Sequence, residues 1–571
     1  MKKRVGRSMR IRLKAIAEDE ASREFKAIIK FRDIDGKSRQ LMLPRSDLDD
    51  MKALRRTLTN AGCYFSKKQA RSKAALSNLT RSARAAERWK LAARTGWYDG
   101  HRQFVHPAGV LGERSGDTSI KPPPTNGKSH NSALEIQGSH KNWVRRVATP
   151  AQGSSRMVLG ICTSLAAPLL DFVGLNSFGI LVHGPGKAGK STMLLVAGSA
   201  IGFASERDLP NFRSTDAALG EMPASFNDMS LPMNELGLLK GGTTERSDRI
   251  RDLTYGFAEG QGTTYSKFAL INMSNGERKW RSILLATGEE AIDQISQEAG
   301  HTRASGEAIR WIDLCATRKG AEDIFGFPPK RLTEQTRKAW VAQQCAALRE
   351  GCRRHHGVAF QHFIRHSIKN RKTIKKDLSD LARQFVRNVT DQSDGHAVRH
   401  LAMCFAHIAA AGVLGVRFGT LPWTERFVVR CIKRCYRDAR RGLRTEDDLL
   451  REGLRILEDD IHSKLLKVSR KKPPSKSAWN AADGYWEKTN RGIKATIRGE
   501  AFKDWFPDQR QPVIVLRWLY SKNALFSKRG PSGSSVPSIT WAENQPMWPD
   551  GSRRRSIVLE QRPGGFNDSK K

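Results

Sequence analysis

Residues 178–192 read Phe-Gly-Ile-Leu-Val-His-Gly-Pro-Gly-Lys-Ala-Gly-Lys-Ser-Thr. The apolar run Ile180-Leu181-Val182 predicts a strand. It leads into Gly184-x-x-x-x-Gly189-Lys190-Ser191, a complete phosphate-binding pattern. Gly184, Gly186 and Gly189 let the backbone turn tightly and aim its N–H groups at phosphate oxygens. Lys190 brings a point charge to the β- and γ-phosphates. Ser191 brings a hydroxyl to Mg²⁺, and Thr192 closes the set of cofactor-binding residues. Met193, Val196, Ala197, Ala200 and Ile201 then recur at helical spacing, which predicts a helix with one apolar face. Its N-terminus favours the same anion. The expected ligand is ATP with Mg²⁺, and the expected fold class is α/β.

Hydrolysis needs polar groups at the end of a neighbouring strand. Residues 229–237 offer them. Leu231 and Met233 are strand-like, and Glu235 stands where a water-polarising base belongs. Asn234 precedes it where an Asp is expected, and it accepts a hydrogen bond without bringing charge to the metal's water shell. A surface turn is the plain alternative. The run 280–289 predicts a third strand, ending in Thr287, whose hydroxyl can face the γ-phosphate or serve only as a strand-end cap. Arg303 and Arg310 follow beside Gly and Ser. Either suits an arginine finger reaching in from a neighbouring subunit, or is an ordinary surface arginine.

The chain has 571 residues, 39% of them hydrophobic, enough for several ordinary cores. No stretch is read as a membrane span, and no apolar run follows the basic N-terminus as it would in a signal peptide. A cytoplasmic, nucleoid-associated protein is expected. Ninety-nine Lys and Arg against 58 Asp and Glu leave a net charge of +41, spread along the chain. That favours a polyanionic partner, DNA first, over a plain compositional bias towards Arg. The eight Cys are scattered and read as thiols rather than zinc ligands.

The domains expected are 1–95, 96–156, 157–330, 331–440, 441–476 and 477–571. The first is a small α+β domain. It has strands at 27–31 and 40–43 about an Asp35-Gly36 turn, then a helix capped by Ser46, then a basic helical stretch over 65–95. Residues 96–147 read as hairpins and loops, and 157–170 as an apolar helix. Residues 177–330 alternate strand and helix as in a parallel sheet. Residues 331–440 are helical. Residues 441–476 are a polar helix and a Lys/Pro-rich linker.

The last domain shows helical pattern at 498–505 and 511–521, then strands at 539–541 and 556–559. That outline is winged-helix-like, with Val513, Leu516 and Tyr520 inward. Arg510, Arg517 and Lys522 face solvent, and Arg554 lies in a basic run that can touch phosphates. Trp505, Phe506 and Trp518 read as core rather than as stacking platforms.

Several motifs occur in order: Gly96-Trp97, Trp143, the phosphate loop, Arg213-Ser-Thr-Asp216, Asn234-Glu235-Leu236-Gly237, Trp280-Arg281, Thr287-Gly288-Glu289 and Gly300-x-x-Arg303-Ala-x-Gly306-x-x-x-Arg310. Over about 25–440 the chain resembles domain-of-unknown-function family 927 of bacterial, phage and mobile-element proteins. The resemblance implies an AAA+ P-loop ATPase core akin to minichromosome-maintenance helicases. It makes Thr287 the sensor-1 residue and suits Arg399 to sensor 2. It makes residues 264–280, with Lys267, a DNA-gripping hairpin. Asn234 departs from the family's Asp. The leading expectation is a ring-forming, homo-hexameric, ATP-dependent DNA helicase on single-stranded or forked DNA, working in replication of a mobile element or phage. Priming would come from a separate primase or polymerase. The alternative is an ATP-binding DNA switch or helicase loader with weak or no hydrolysis. A nucleotide-regulated structural or defence protein has no positive mark in the sequence.

Overall fold

The computed structural model describes residues 11–65, 69–113, 119–122, 131–261, 279–300, 302–317, 321–326, 333–468, 474–527, 539, 542–561 and 566. The chain divides into two compact units. The first holds 1–299, 307–392 and 399–440; the second holds 300–306, 393–398 and 441–571.

The first unit opens on a five-stranded sheet. Strands β1 (Arg12–Asp19), β2 (Phe25–Arg32) and β3 (Ser38–Pro44) run antiparallel, and β4 (Glu87–Leu91) joins β1 in parallel. Asp33 closes the Asp35-Gly36 turn by accepting the N–H groups of Asp35 and Lys37 and pairing with Arg39. Two expectations fail here. Ser46 does not cap the helix Met51–Asn60; it sits in a 3-10 turn, and the cap is Asp50, whose carboxylate accepts from Lys52 and Ala53. Residues 65–95 are not all helical either. The helix is Gln69–Arg81, and burial of Trp89 and Leu91 draws the following residues into the sheet as β4.

Strands β5 (Gly96–Tyr98), β6 (Gln103–His106) and β7 (Gly109–Gly112) form a meander, and β8 (Ser119–Lys121) extends the first sheet beside β4. The meander is anchored by a buried polar cluster. Asp228 accepts the Trp97 N–H (3.1 Å) and the Asn227 side-chain amide (3.0 Å). Gly96 has φ +110°, and a Cβ there would lie 2.3 Å from the Asp228 carboxylate, so only glycine fits. Burial pushes the Asp228 carboxyl up to about 6, against partial relief from the Trp97 N–H and Arg94.

The linkage sign follows from the raised folded value. Stability is full below pH ~4 and falls as the pH rises through ~6, by about 3 kcal/mol for this group. Asp228→Asn keeps an acceptor and tolerates the residue's φ of +55°. Its melting temperature should exceed that of the unsubstituted chain at pH 7.5 and not at pH 4.5. A variant equally destabilised at both pH values would refute the assignment.

A four-stranded sheet comprises β9 (Phe178–His183), β10 (Met229–Met233), β11 (Ser282–Gly288) and β12 (Trp311–Cys315). All neighbours are parallel, and the lateral order is β10-β11-β9-β12. Parallel strands covered on both faces read as continuous apolar runs, as these do. The helices Ser155–Ala166 and Lys190–Ile201 pack together against β10 and β11, and Thr243–Glu259 packs against β9. A Cβ on Gly160 would meet Ala197 Cβ at 3.1 Å, so that glycine sets how closely the first two helices approach. The helix Lys190–Ile201 is buried almost all round rather than on one face, because helix Glu334–Arg354 covers its remaining side.

Five helices follow, from Glu334–Arg354 to Glu425–Gly442. Contrary to expectation, two stretches among the described residues are long and apolar enough to cross a membrane, Ser155–Val173 and His396–Arg417. They are 89% and 78% buried inside the protein, as core helices are.

The second unit carries the helix Glu446–Lys464, opened by a capping box between Thr445 and Asp448. Its sheet contains β13 (Leu466–Lys467), β14 (Gly484–Thr489), β15 (Gly492–Arg498), β16 (Leu525–Phe526), β17 (Glu543–Asn544) and β18 (Ser556–Gln561). The expected helices are Gly499–Asp504 and Gln511–Ser521. The expected hairpin differs. β18 pairs with β15, β16 and β17; Ile539 is in no strand, and Trp541 lies outside the described residues. The β14–β15 hairpin was not expected, although in β15 Ile493, Ala495 and Ile497 alternate with Lys494, Thr496 and Arg498; β14 shows no such alternation. Trp505 and Phe506 are buried in the core, with Trp518 packed against it. Leu519, not the exposed Tyr520, completes the inward face.

Candidate nucleotide site

The phosphate loop leaves β9 at its C-terminal end. The Gly184 N–H reaches the carbonyls of Gly288 (3.3 Å) and Glu289 (3.1 Å), which staples the loop's start to the end of β11. Gly184 and Gly189 have φ +142° and +99°, a backbone that side chains resist. Gly189 precedes the helix Lys190–Ile201, so the helix's first N–H groups face the loop. The Lys190 ammonium donates to the carbonyls of Gly184 (2.6 Å) and Pro185 (2.7 Å). Burial pulls its pKa down, while Glu235 and Glu289 pull it back up.

Ser191, Asn234 and Thr287 meet. The Asn234 Oδ1 accepts from Thr287 Oγ1 (2.8 Å) and from Ser191 Oγ (3.4 Å). The Thr287 hydroxyl also accepts the Glu235 N–H at 3.1 Å. Glu235 adopts φ +59°, unusual for a side-chain-bearing residue, and its carboxylate accepts the Gly237 N–H. The carboxylate strand is not the loop strand's neighbour. β11 lies between them and brings Thr287 beside Val182, level with the loop's entry.

Thr192 stands apart from this cluster. It is fully buried, and its hydroxyl reaches Glu206 at 3.2 Å. Glu289 was missed as a site residue although its motif was noted: its carboxylate lies 3.1 Å from where a Gly186 Cβ would be. Its place just beyond a strand end was the available signal. Arg156 was also missed. Buried in the helix Ser155–Ala166, it donates to the Cys315 carbonyl through Nε (3.0 Å) and Nη2 (2.9 Å), and Nη2 pairs with Asp438 at 2.8 Å. Cys315 ends β12, next to Ala316, whose N–H bonds the His183 carbonyl at the loop's entry.

The arginines separate. Arg310 precedes β12, its carbonyl accepts the Gly179 N–H, and its guanidinium lies 5.2 Å from the Tyr255 ring. That is the N-terminal end of the strands, about 15–20 Å from the loop at strand rise. It does not reach this chain's own loop at 184–191. Arg303 belongs to the second unit, where its carbonyl accepts from Arg510. Arg399 donates to the carbonyls of Asp391 and Gln392.

Lys267 and most of the expected hairpin 264–280 lie outside the described residues. Arg517 is exposed on its helix. Arg554 is mostly covered. It pairs with Asp550, donates to Trp479 O and Asn480 Oδ1, and stacks 4.4 Å from the Trp548 ring centre, so it braces the fold where a free phosphate contact was expected. Among the described residues no group of His, Cys, Asp and Glu is arranged to hold a metal.

One family model matches the N-terminal part of the chain. Residues 2–268 match the DUF927 family, described as "Domain of unknown function (DUF927)". The DUF927 match includes β9 and β10 and stops before β11, so Thr287 lies beyond it, and it is shorter than the 25–440 span expected. No curated protein matches. A solved structure named "SCCmec type IV Cch - active helicase" has 14% sequence identity and TM-score 0.60, covering 96% of this chain and 93% of that chain. The two share a fold across nearly their whole lengths. A second, "The A form apo structure of NrS-1 C terminal region-CTR", has 10% identity and TM-score 0.24, covering 74% of this chain and 91% of that one.

Proposed function

We propose that this chain is an ATP-driven DNA helicase or translocase of AAA+ type, acting as a ring oligomer in replication of a mobile element or phage. The observation that carries it is the meeting of Ser191, Asn234 and Thr287 beside a complete phosphate loop. The donor set fits ATP and Mg²⁺. Lys190 and the loop N–H groups would hold phosphates, and Ser191 and Asn234 would face the metal's water shell. ATP supplies the phosphoanhydride bond whose hydrolysis drives movement. Glu235 orients the attacking water, Thr287 fixes Glu235, and Arg303 or Arg310 serves a neighbouring subunit's site. The net charge of +41 suits a DNA partner.

Asn234 favours a second reading, a DNA-bound nucleotide switch or helicase loader. The test is ATPase rate and strand displacement, with and without single-stranded DNA, beside an oligomer-mass measurement. For the motor, DNA stimulates turnover, and Lys190→Ala removes both activities by about 10²–10³-fold. ATP binding and assembly without turnover, with turnover appearing in Asn234→Asp, would replace the motor by the switch.

A further inference from the structure

We infer that the outward face of the helix Glu425–Gly442 binds nucleic-acid backbone. The inference rests on the reading of this chain as a DNA-acting protein and assigns it a contact surface in the helical region. Residues 426–441 contain seven Lys and Arg and one acid, Asp438. The inward face is closed by Val428, Cys431, Ile432, Cys435, Tyr436 and Ala439. Arg426, Arg430 and Arg437 are exposed, with Lys433 partly so. Their spacing places them in one stripe, about 16 Å long at the rise of an α-helix. That length spans about five phosphates of a stacked strand.

The stripe is not neutralised from within. Asp438 points inward to Arg156, whose side chain is 2% exposed. Among the described residues no ion pair engages Arg426, Arg430 or Arg437, and Lys433 donates to the Asn388 carbonyl at 2.8 Å. Like charges at i,i+4, as in Arg426/Arg430 and Lys433/Arg437, repel along a helix. On the helix Glu334–Arg354, by contrast, signs are mixed, as with Glu334/Lys338 and Glu350/Arg353. A polyanion relieves the repulsion. A lipid surface fits poorly, because the apolar face a membrane would take is already buried.

The full chain is titrated with a fluorescein-labelled single-stranded oligonucleotide, without ATP, across a series of salt concentrations. In the triple variant Arg426→Gln, Arg430→Gln, Arg437→Gln, the slope of log affinity against log salt should become shallower by about 2, at about 0.7 per lost contact. The charge-matched control Lys37→Gln, Lys52→Gln, Arg56→Gln should keep the original slope. A triple Arg→Lys variant should also keep it, which separates charge from folding. An unchanged slope in the Gln variant, or an equal change in the control, overturns the inference alone. A chain that binds no DNA overturns it together with the proposed function. Phosphatidylserine vesicles form the last arm: binding that depends on the three arginines while DNA binding does not would assign the face to lipid and overturn the inference.

Discussion

Thr287→Val is expected to lower ATP turnover about 10²-fold while leaving the KM for ATP within a few-fold. The substitution keeps shape and removes one hydroxyl. That hydroxyl donates to Asn234 Oδ1 and accepts the Glu235 N–H. Thr287 is 1% exposed, so water does not replace it. Leaving the Asn234 oxygen and the Glu235 N–H without this partner costs about 1–3 kcal/mol. The larger effect is on aim: Glu235 holds a left-handed backbone with this bond as one support, and a misplacement of ~1 Å costs ~10²-fold in rate. Steady-state ATPase kinetics read the outcome, and Thr287→Ser should retain most of the rate. A kcat within threefold of the unsubstituted chain would show that Glu235 is positioned by other means.

Arg156→Met is expected to destabilise the first unit by about 3–5 kcal/mol, the usual result of leaving one partner of a buried pair. Cys315 O loses both its guanidinium bonds, and Asp438, 18% exposed, loses its counter-charge. The double variant Arg156→Met, Asp438→Leu should recover a large part of the loss, because no unpaired charge then remains. Denaturant unfolding measures both. A single-variant loss below ~1 kcal/mol would mean that solvent already screens the pair.

The strand Phe178–His183 and the helix Lys190–Ile201 were legible because an apolar run and helical spacing are short-range signals. Lateral strand order was not legible. Nothing in the run 282–288 says that it inserts between β9 and β10, although that insertion places Thr287 against Asn234. Long-range partners were hidden for the same reason. Arg156 sits in an apolar helix, and its acceptors lie 159 and 282 residues away. Asp228 gave no sequence signal, because the Trp97 N–H that it accepts lies 131 residues away. Arg554 was indistinguishable in sequence from Arg553 and Arg555, which are exposed; only the fold brings Asp550 and Trp548 to the middle one.

β11 ends in polar anchors on both sides. At its start, Arg281 takes the Asn227 side-chain oxygen through its backbone N–H and pairs with Asp171 through its guanidinium, and the Ser282 N–H bonds Ser177. At its finish it carries Thr287 and the carbonyl that holds Gly184. Paired along its length to β9 and β10, the strand is about 20 Å long and held at both ends. The phosphate end of the sheet and the Arg281–Asp171 pair are thereby joined through one hydrogen-bonded strand, and His101, which also bonds Asp171 at 2.6 Å, ties the meander to the far end of it.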